Sequence, residues 1–126
     1  RIGRLTVEEV SAWIEARLRH DFKPAELAAH AGLGLRSLQA AFLKHFHTTL
    51  TEYLRQRRLE AAHAELLDPS SSKSISEVAQ GLQFRHLSRF AQAYRRQFGE
   101  LPSTTRKLPP RYHAQEKLKS SLKLSQ

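Results

Sequence analysis

Hydrophobic residues recur at three- and four-residue steps along most of the chain, most clearly in residues 86–98. When this segment is drawn as a helix, Leu87, Phe90, Tyr94 and Phe98 form one apolar stripe. The opposite side carries polar side chains, which are Ser88, Arg89, Gln92, Arg95 and Arg96. The pattern predicts a helix that packs against a core with one face and presents serine, glutamine and arginine on the other.

The same pattern occurs earlier in the chain, which argues against chance amphipathicity. Leu38, Phe42 and Phe46 repeat the spacing of the later stripe 52 positions before it. A short helical pattern precedes each stripe, with Glu-Leu-Ala at 26–28 and Glu-Val-Ala at 77–79, which are 51 positions apart. A glycine follows the first short helix and suits a left-handed turn. The sequence therefore predicts two helix-turn-helix units, and a one-residue change in the turn explains the different offsets.

These patterns predict an all-α fold of about seven helices. A first helix is expected to be capped by Thr6 and to extend to about Arg19. Residues 1–107 are expected to form one double helix-turn-helix domain, and residues 108–126 a flexible basic tail. A basic arm that touches phosphates and a weak amphipathic helix are the alternatives for this tail. Within the domain, the expected segments are a first unit at about 24–47, a linker helix at about 49–67 and a second unit at about 74–107.

The positive charge is concentrated in the last third of the chain. The net charge is +9 when the histidines are neutral. Residues 1–84 hold 11 Lys/Arg and 10 Asp/Glu, whereas residues 85–126 hold 10 Lys/Arg and 2 Asp/Glu. The excess therefore begins at the start of the second amphipathic helix. Such a distribution favours a polyanionic partner.

Membrane, disulfide and catalytic roles find little support in the sequence. No apolar run approaches the roughly 18 residues of a membrane span, and there is neither a signal peptide nor a cysteine. His45 and His47 would point to different sides of a helix, and no metal-binding motif is present. His86 and Ser88 make a poor catalytic pair because no acid or oxyanion site stands near them. We therefore expect no enzymatic activity, no metal site, no cofactor and no membrane partner.

These motifs together resemble the C-terminal DNA-binding domain of AraC/XylS-type transcription regulators. Members of that family carry two helix-turn-helix units joined by a long linker helix, and the resemblance covers about Thr6 to Lys107. In the first unit and the linker helix it rests on Glu26-Leu-Ala, Ala31-Gly32, Leu38-Gln39, Phe42, Arg58-Leu59-Glu-Ala-Ala62 and Leu66-Leu67. In the second unit it rests on Glu77-Val-Ala79, Phe84, Leu87-Ser-Arg-Phe90, Ala93-Tyr-Arg-Arg96, Phe98-Gly99 and Pro102-Ser103.

The resemblance implies sequence-specific binding of double-stranded DNA. The second helix of each unit would enter a major-groove segment, and the two segments would be successive, about 34 Å apart. Because arginine and glutamine make two-point hydrogen bonds to guanine and adenine edges, polar residues of these helices are expected to read bases. They are Arg36, Ser37 and Gln39 in the first unit, and Arg85, Ser88, Arg89 and Gln92 in the second. The phosphate candidates are Arg95, Arg96, Arg106 and Lys107.

The resemblance also implies a cellular setting. The chain has no methionine, even at position 1, so we expect a fragment of a longer regulator. A separate sensing or dimerisation domain would precede Arg1, and a small-molecule effector would act only through that domain. A transcription activator of this family would have RNA polymerase as a partner, and it would be a cytoplasmic, nucleoid-associated bacterial protein.

Departures from the family pattern affect both turns and both reading helices. Gln83 stands where the family usually has glycine, so the turn is either strained there or has a negative φ. Gly34 and Arg85 stand at the N-caps, where the family favours serine, and Ala40 and Gln92 stand where an arginine is common. We therefore expect a distinct recognition sequence. The first unit is expected to read fewer bases than the second, since its outer face is partly apolar.

A non-specific nucleic-acid or RNA binder is the alternative function. It would explain the charge but would leave the repeated motif unexplained. It would also need exposed aromatic side chains for stacking on bases, whereas the aromatic residues here lie on the predicted inward stripes. The sequence therefore favours a sequence-specific binder of duplex DNA.

Overall fold

The computed structural model describes residues 1–108, whose regular structure is helical apart from a short antiparallel bridge between Ile2 and Leu5. The prediction of an all-α fold with about seven helices is confirmed for this part of the chain. The helices are α1 (Val7–Glu15), α2 (Pro24–Ala31), α3 (Leu35–Phe46), α4 (Leu50–Leu67), α5 (Ile75–Gly81), α6 (Leu87–Phe98) and α7 (Pro102–Arg106). The predicted tail lies outside the described residues, except for Leu108. None of the helices of residues 1–108 is long and apolar enough to cross a membrane.

The chain divides into two compact subdomains, and the division falls inside α4. The N-terminal subdomain comprises Arg1–Arg58, and the C-terminal subdomain begins at Leu59. The α4 helix is continuous across this point, and its start is capped by the hydroxyl of Thr49, which accepts a hydrogen bond from the Glu52 N–H (3.1 Å). Each subdomain therefore contains one helix-turn-helix together with half of the helix that connects them.

The end of α1 comes earlier than the sequence predicts, at Glu15 rather than at about Arg19. The chain continues in tighter turns, in which the Arg17 N–H donates to the Ile14 carbonyl (2.9 Å) and the His20 N–H donates to the Arg17 carbonyl (3.0 Å). A side chain from α4 then holds this segment. The Arg58 guanidinium donates hydrogen bonds to the carbonyl oxygens of Leu18 and His20, at 2.9 and 2.8 Å. These carbonyls are therefore satisfied without a further helical turn, and burial lowers the pKa of Arg58. Leu18 stays buried although it lies outside the helix.

The core of the N-terminal subdomain is built where α3 packs against α2 and the first half of α4. Leu27 of α2 and Leu38 and Phe42 of α3 are fully buried. Phe42 stacks on Phe46 with 4.2 Å between ring centroids. Tyr53 of α4 packs edge-on against both rings, at 5.4 and 4.9 Å. This packing fixes which face of α3 is turned inward, and hence which face is left for a partner.

The core of the C-terminal subdomain combines apolar packing with a buried chain of hydrogen bonds. Phe90 and Tyr94 of α6 are buried. The Tyr94 hydroxyl donates to the Thr105 hydroxyl (2.7 Å) and also contacts Nδ1 of His63 (2.8 Å). The Thr105 hydroxyl in turn donates to the Glu100 carboxylate. Because a buried hydroxyl is stable only when it is paired, this chain ties α7 and the second half of α4 to one face of α6.

Candidate nucleic-acid interface

The turns of the two helix-turn-helix units share one backbone geometry. Gly32 and Gln83, which are 51 positions apart, both adopt a left-handed conformation, with φ of 73° and 71°. In each turn this residue donates its N–H to the carbonyl three positions before it, and the next residue donates to the carbonyl five positions before it. The four bonds are Gly32 to Ala29 (3.1 Å), Leu33 to Ala28 (2.8 Å), Gln83 to Gln80 (3.1 Å) and Phe84 to Ala79 (3.0 Å). Of the two alternatives for Gln83, the structure has the strained one.

The second turn is one residue longer than the first, and this shifts the start of α6. Gly34 is the N-cap of α3, as predicted. The N-cap of α6 is His86 and not the predicted Arg85. The extra residue comes after the two hydrogen bonds that both turns share. Arg85 therefore lies in the turn, where it is exposed. The shift explains why the stripes are 52 positions apart while the turns are 51 positions apart.

Leu87 is not part of the buried stripe of α6, contrary to the prediction. It is the first residue of the helix and is exposed, whereas Phe90 and Tyr94 are buried. A helical side chain leans toward the N-terminus of its helix. At the first position, such a side chain extends past the helix end instead of covering the core. The spacing of residues cannot reveal this, because it is the same for Leu87 as for the rest of the stripe.

The starts of α3 and α6 differ from those of α1, α2, α4 and α5 in charge and in capping. The latter four helices each have a glutamate in the first turn. At α1 and α5 the hydroxyls of Thr6 and Ser74 accept hydrogen bonds from the N–H groups of Glu9 and Glu77, each at 3.1 Å. Hydrogen bonds with Ser74 also lower the pKa of Glu77.

The first turns of α3 and α6 contain no acidic residue, and among the described residues no side chain caps them. An uncapped first turn keeps N–H groups without helical partners and the positive end of the helix dipole. Anions are attracted to such an end, and phosphate binding at helix starts is common. The five-residue helix α7 shares both features. Among the longer helices of residues 1–108, α3 and α6 are therefore the two whose starts suit a polyanion, and they are also the two that the repeat singles out.

The predicted base-reading residues lie on the exposed faces of these helices, opposite the buried residues, except for Arg85, which lies in the turn before α6. In the N-terminal subdomain they are Arg36, Ser37 and Gln39, and in the C-terminal subdomain Arg85, Ser88, Arg89 and Gln92, all exposed. Within each subdomain the structure thus brings the expected side chains to one surface. Their assignment to bases stays a prediction.

The predicted phosphate contacts fall into two groups. Arg95 and Arg96 in the last turn of α6, and Lys107 after α7, are exposed. Arg106 is half-buried, and its Nη1 donates to the carbonyl oxygen of Lys73. The Nε and Nη2 atoms of Arg106 are buried and lack hydrogen-bond partners among the described residues. Its guanidinium therefore links helix α7 to the loop that precedes α5. This geometry favours a phosphate contact less for Arg106 than for Arg95, Arg96 and Lys107, and charge alone could not distinguish the four residues.

Metal-ligating side chains are not clustered in the described residues. No group of three or more histidine, cysteine, aspartate or glutamate side chains in residues 1–108 could hold a metal ion. The arrangement of the helix-turn-helix units can donate hydrogen bonds and positive charge to a partner, which is what recognition of a nucleic acid requires.

Comparison with known proteins identifies relatives across most of the chain. A helix-turn-helix domain family matches residues 27–108. The XylDLEGF operon transcriptional activator of Pseudomonas putida is 44% identical over 104 residues, which make up 82% of this chain and 32% of that protein. The chain therefore spans about a third of the length of this relative.

Solved structures show the same fold. A probable AraC family transcriptional regulator from Rhodopseudomonas palustris CGA009 has a TM-score of 0.74 at 30% identity, and the match covers 80% of this chain and 94% of that chain. The DNA-binding domain of AdpA, solved in complex with a target DNA, has a TM-score of 0.70 at 29% identity, with 79% and 87% covered.

These matches include both helix-turn-helix units and confirm the resemblance drawn from the sequence motifs. The relatives are transcription regulators and not enzymes. The chain belongs to the AraC family of transcription regulators, within their helix-turn-helix DNA-binding domain.

Proposed function

We propose that this domain binds duplex DNA sequence-specifically by placing the starts of α3 and α6 in the major groove. The observation that carries the proposal is the pairing of two features in both helices. Each has an uncapped, acid-free first turn, and each exposes arginine, serine and glutamine beside that turn. The N-terminal residues of the second helix are those that contact base edges in helix-turn-helix proteins. The solved AdpA relative, which is in complex with a target DNA, supports the same partner.

The proposed contacts divide by chemistry. Arg36, Ser37 and Gln39 of α3, and Arg85, Ser88, Arg89 and Gln92 of the second unit, contact base edges, because their donors suit guanine and adenine. Arg95, Arg96 and Lys107 contact phosphates, together with the N–H groups at the helix starts. Arg106 supports these contacts by holding the loop before α5, since its guanidinium donates a hydrogen bond to the Lys73 carbonyl oxygen.

The two helices contribute unequally in this proposal. The second unit offers four exposed polar side chains and begins the segment with 10 Lys/Arg and 2 Asp/Glu. The first unit offers three, Arg36, Ser37 and Gln39, but the apolar residues Ala40 and Leu43 share its exposed face. The DNA half-site under α6, meaning the base pairs that this helix contacts, is therefore the better specified of the two.

A non-specific single-strand or RNA binder is less well supported. Such proteins stack bases on exposed aromatic rings. In the described residues, Phe42, Phe90 and Tyr94 are buried, and Phe46 is engaged in ring stacking with Phe42. The recognition surfaces carry arginine, glutamine and serine instead.

The whole protein is proposed to be a transcription regulator of which this domain is the DNA-binding part. The Pseudomonas relative is named as an operon activator, and the matched region makes up 32% of its length. By analogy, a sensing domain outside this chain would bind an effector, and RNA polymerase would be the partner in activation. Action on chromosomal DNA would require a cytoplasmic, nucleoid-associated protein.

Selection of bound sites from random duplex DNA tests the proposal. The wild type should enrich one sequence with two half-sites and prefer it over unrelated duplex at fixed salt. Arg89→Ala or Gln92→Ala should relax the preference at one or two positions under α6, since a lost two-point contact costs about 1–3 kcal/mol. Arg36→Ala should do so in the other half-site.

Arg55→Ala is the matched control for this selection. It removes the same charge from α4, where Arg55 pairs with Glu52 at 2.7 Å, and it should leave the base preferences unchanged. Equal relaxation across both half-sites in every variant would contradict the unequal roles. Unchanged preferences in Arg36→Ala, Arg89→Ala and Gln92→Ala alike would contradict base reading by these faces.

A further inference from the structure

Exposed leucines occupy the same position in α3 and α6, which are the two proposed recognition helices. Leu35 is the first residue of α3 and is 44% exposed, and Leu87 is the first residue of α6 and is 48% exposed. The two are 52 positions apart, which is also the offset between the buried stripes. A single exposed leucine is ordinary on a protein surface. A pair in equivalent positions of a repeated motif calls for a shared cause.

Packing does not supply that cause. The next stripe residues, Leu38 and Phe90, are fully buried. Each of the two helices therefore contributes to the core only after its first turn. Other exposed leucines are not repeated. Leu43 has Arg95 as its counterpart 52 positions later, and Leu101 has Thr49 as its counterpart 52 positions earlier. Of the four exposed leucines, only Leu35 and Leu87 therefore occupy equivalent positions in the two units.

The surroundings of both leucines are polar and positively charged. Arg36 and Ser37 follow Leu35, and Ser88 and Arg89 follow Leu87, all exposed. The first turns of both helices contain no acidic residue. A partner of neutral, apolar protein surface would not match this charge, whereas a polyanion with a local apolar group would. In the major groove, the C5-methyl of thymine is such a group, and apolar side chains contact it.

We propose that Leu35 and Leu87 are specificity-determining residues that each contact the C5-methyl group of a thymine. This inference rests on the proposed function and adds a preference that the polar residues cannot supply. A hydrogen-bonding side chain distinguishes bases by donors and acceptors, while the methyl group distinguishes thymine from cytosine and from uracil by shape. Each half-site then contains a thymine beside the base pairs read by the neighbouring arginine.

Replacement of single thymines by deoxyuridine tests this inference directly, because it removes only the methyl group. The duplex is the one selected with wild-type protein, and the Kd is measured by fluorescence anisotropy at one salt concentration. In each half-site, replacement of one particular thymine should weaken wild-type binding by about fourfold. This factor corresponds to about 0.8 kcal/mol for one buried methyl group. With Leu87→Ala the effect should vanish at the thymine under α6 and persist at the other. With Leu35→Ala the reverse should hold.

Leu101→Ala is the control variant, since it shortens a leucine that is similarly exposed (41%) but lies outside both recognition helices. It should retain both methyl effects. Each variant should keep the thermal midpoint of the wild type, because the altered side chains are half-exposed.

Equal methyl effects in the wild type and in both helix variants would overturn the inference, as would a selected site without thymine at these positions. Wild-type insensitivity to every replacement would also overturn it but would leave the proposed function intact, whereas failure to prefer the selected duplex over unrelated duplex would defeat both.

Discussion

The left-handed conformation of Gln83 gives a direct test of how the second turn is held. A side chain with a Cβ atom in this conformation costs roughly 1–2 kcal/mol, because Cβ approaches the following carbonyl oxygen. Gln83 adopts it with φ of 71°, and its N–H donates to the Gln80 carbonyl at 3.1 Å. The equivalent position in the first turn is Gly32, which makes the same hydrogen bond without a side chain. We therefore expect Gln83→Gly to stabilise the C-terminal subdomain.

The size of the effect follows from two opposing terms. Glycine removes the steric cost of about 1–2 kcal/mol, and it loses roughly 0.5–1 kcal/mol more conformational entropy on folding than alanine does. The net gain over alanine is then about 0–1.5 kcal/mol, with a midpoint of about 0.75 kcal/mol. For a small domain, this midpoint corresponds to a rise in Tm of about 3–6 °C. Asparagine tolerates the left-handed region better than most residues, so Gln83→Asn should lie between alanine and glycine.

Thermal unfolding followed by circular dichroism at 222 nm measures the series Gln83→Ala, Gln83→Asn and Gln83→Gly. Comparison of glycine with alanine removes contacts of the glutamine side chain from the result, because both variants lack them. Gly32→Ala is the reciprocal control and should be destabilising, since its Cβ would be strained by a φ of 73° and would lie 2.5 Å from the Arg4 guanidinium. A Gln83→Gly variant no more stable than Gln83→Ala would refute the strain argument.

Two further predictions concern the core and the phosphate contacts. Phe90→Ala should cost about 3–5 kcal/mol of unfolding free energy, because Phe90 is buried against Phe84 and Tyr94; an unchanged Tm would show that this face of α6 is not the packed one. Arg95→Ala or Arg96→Ala should weaken binding to all duplexes alike and lower the slope of log K against log salt by about 1; a changed base preference would mean that these side chains read bases instead.

The buried face of each recognition helix was predictable because it depends on a repeated spacing. The pairs Phe42 with Phe46 and Phe90 with Tyr94 recur at helical steps, and burial of their large side chains outweighs local preferences. The repeat added independent support, since a one-residue shift between turns and stripes is visible in the letters alone. Family membership followed from the motifs that this packing requires.

Features set by a single long-range contact were not predictable. The segment that follows α1 is held by the Arg58 guanidinium, which lies about 40 positions away in sequence from the carbonyls that it binds. Arg106 was grouped with the phosphate candidates by charge, although its side chain is engaged with Lys73. In both cases an arginine satisfies backbone carbonyls, and no periodic pattern encodes which ones. The individual base and phosphate contacts likewise depend on a partner that the sequence does not contain.

The inserted residue of the second turn changes the surface of its unit without changing the core. Both turns keep the left-handed residue and the same two hydrogen bonds, and the central residues of both stripes are buried, namely Leu38 and Phe42 in α3 and Phe90 and Tyr94 in α6. The extra length is therefore taken up between Phe84 and the N-cap His86, where Arg85 is exposed. A cation is thus added beside the start of α6 at no cost in packing. This separation of turn length from core packing lets the two units of one repeat differ in what they recognise, and it is the structural basis for expecting the second half-site to be the better specified.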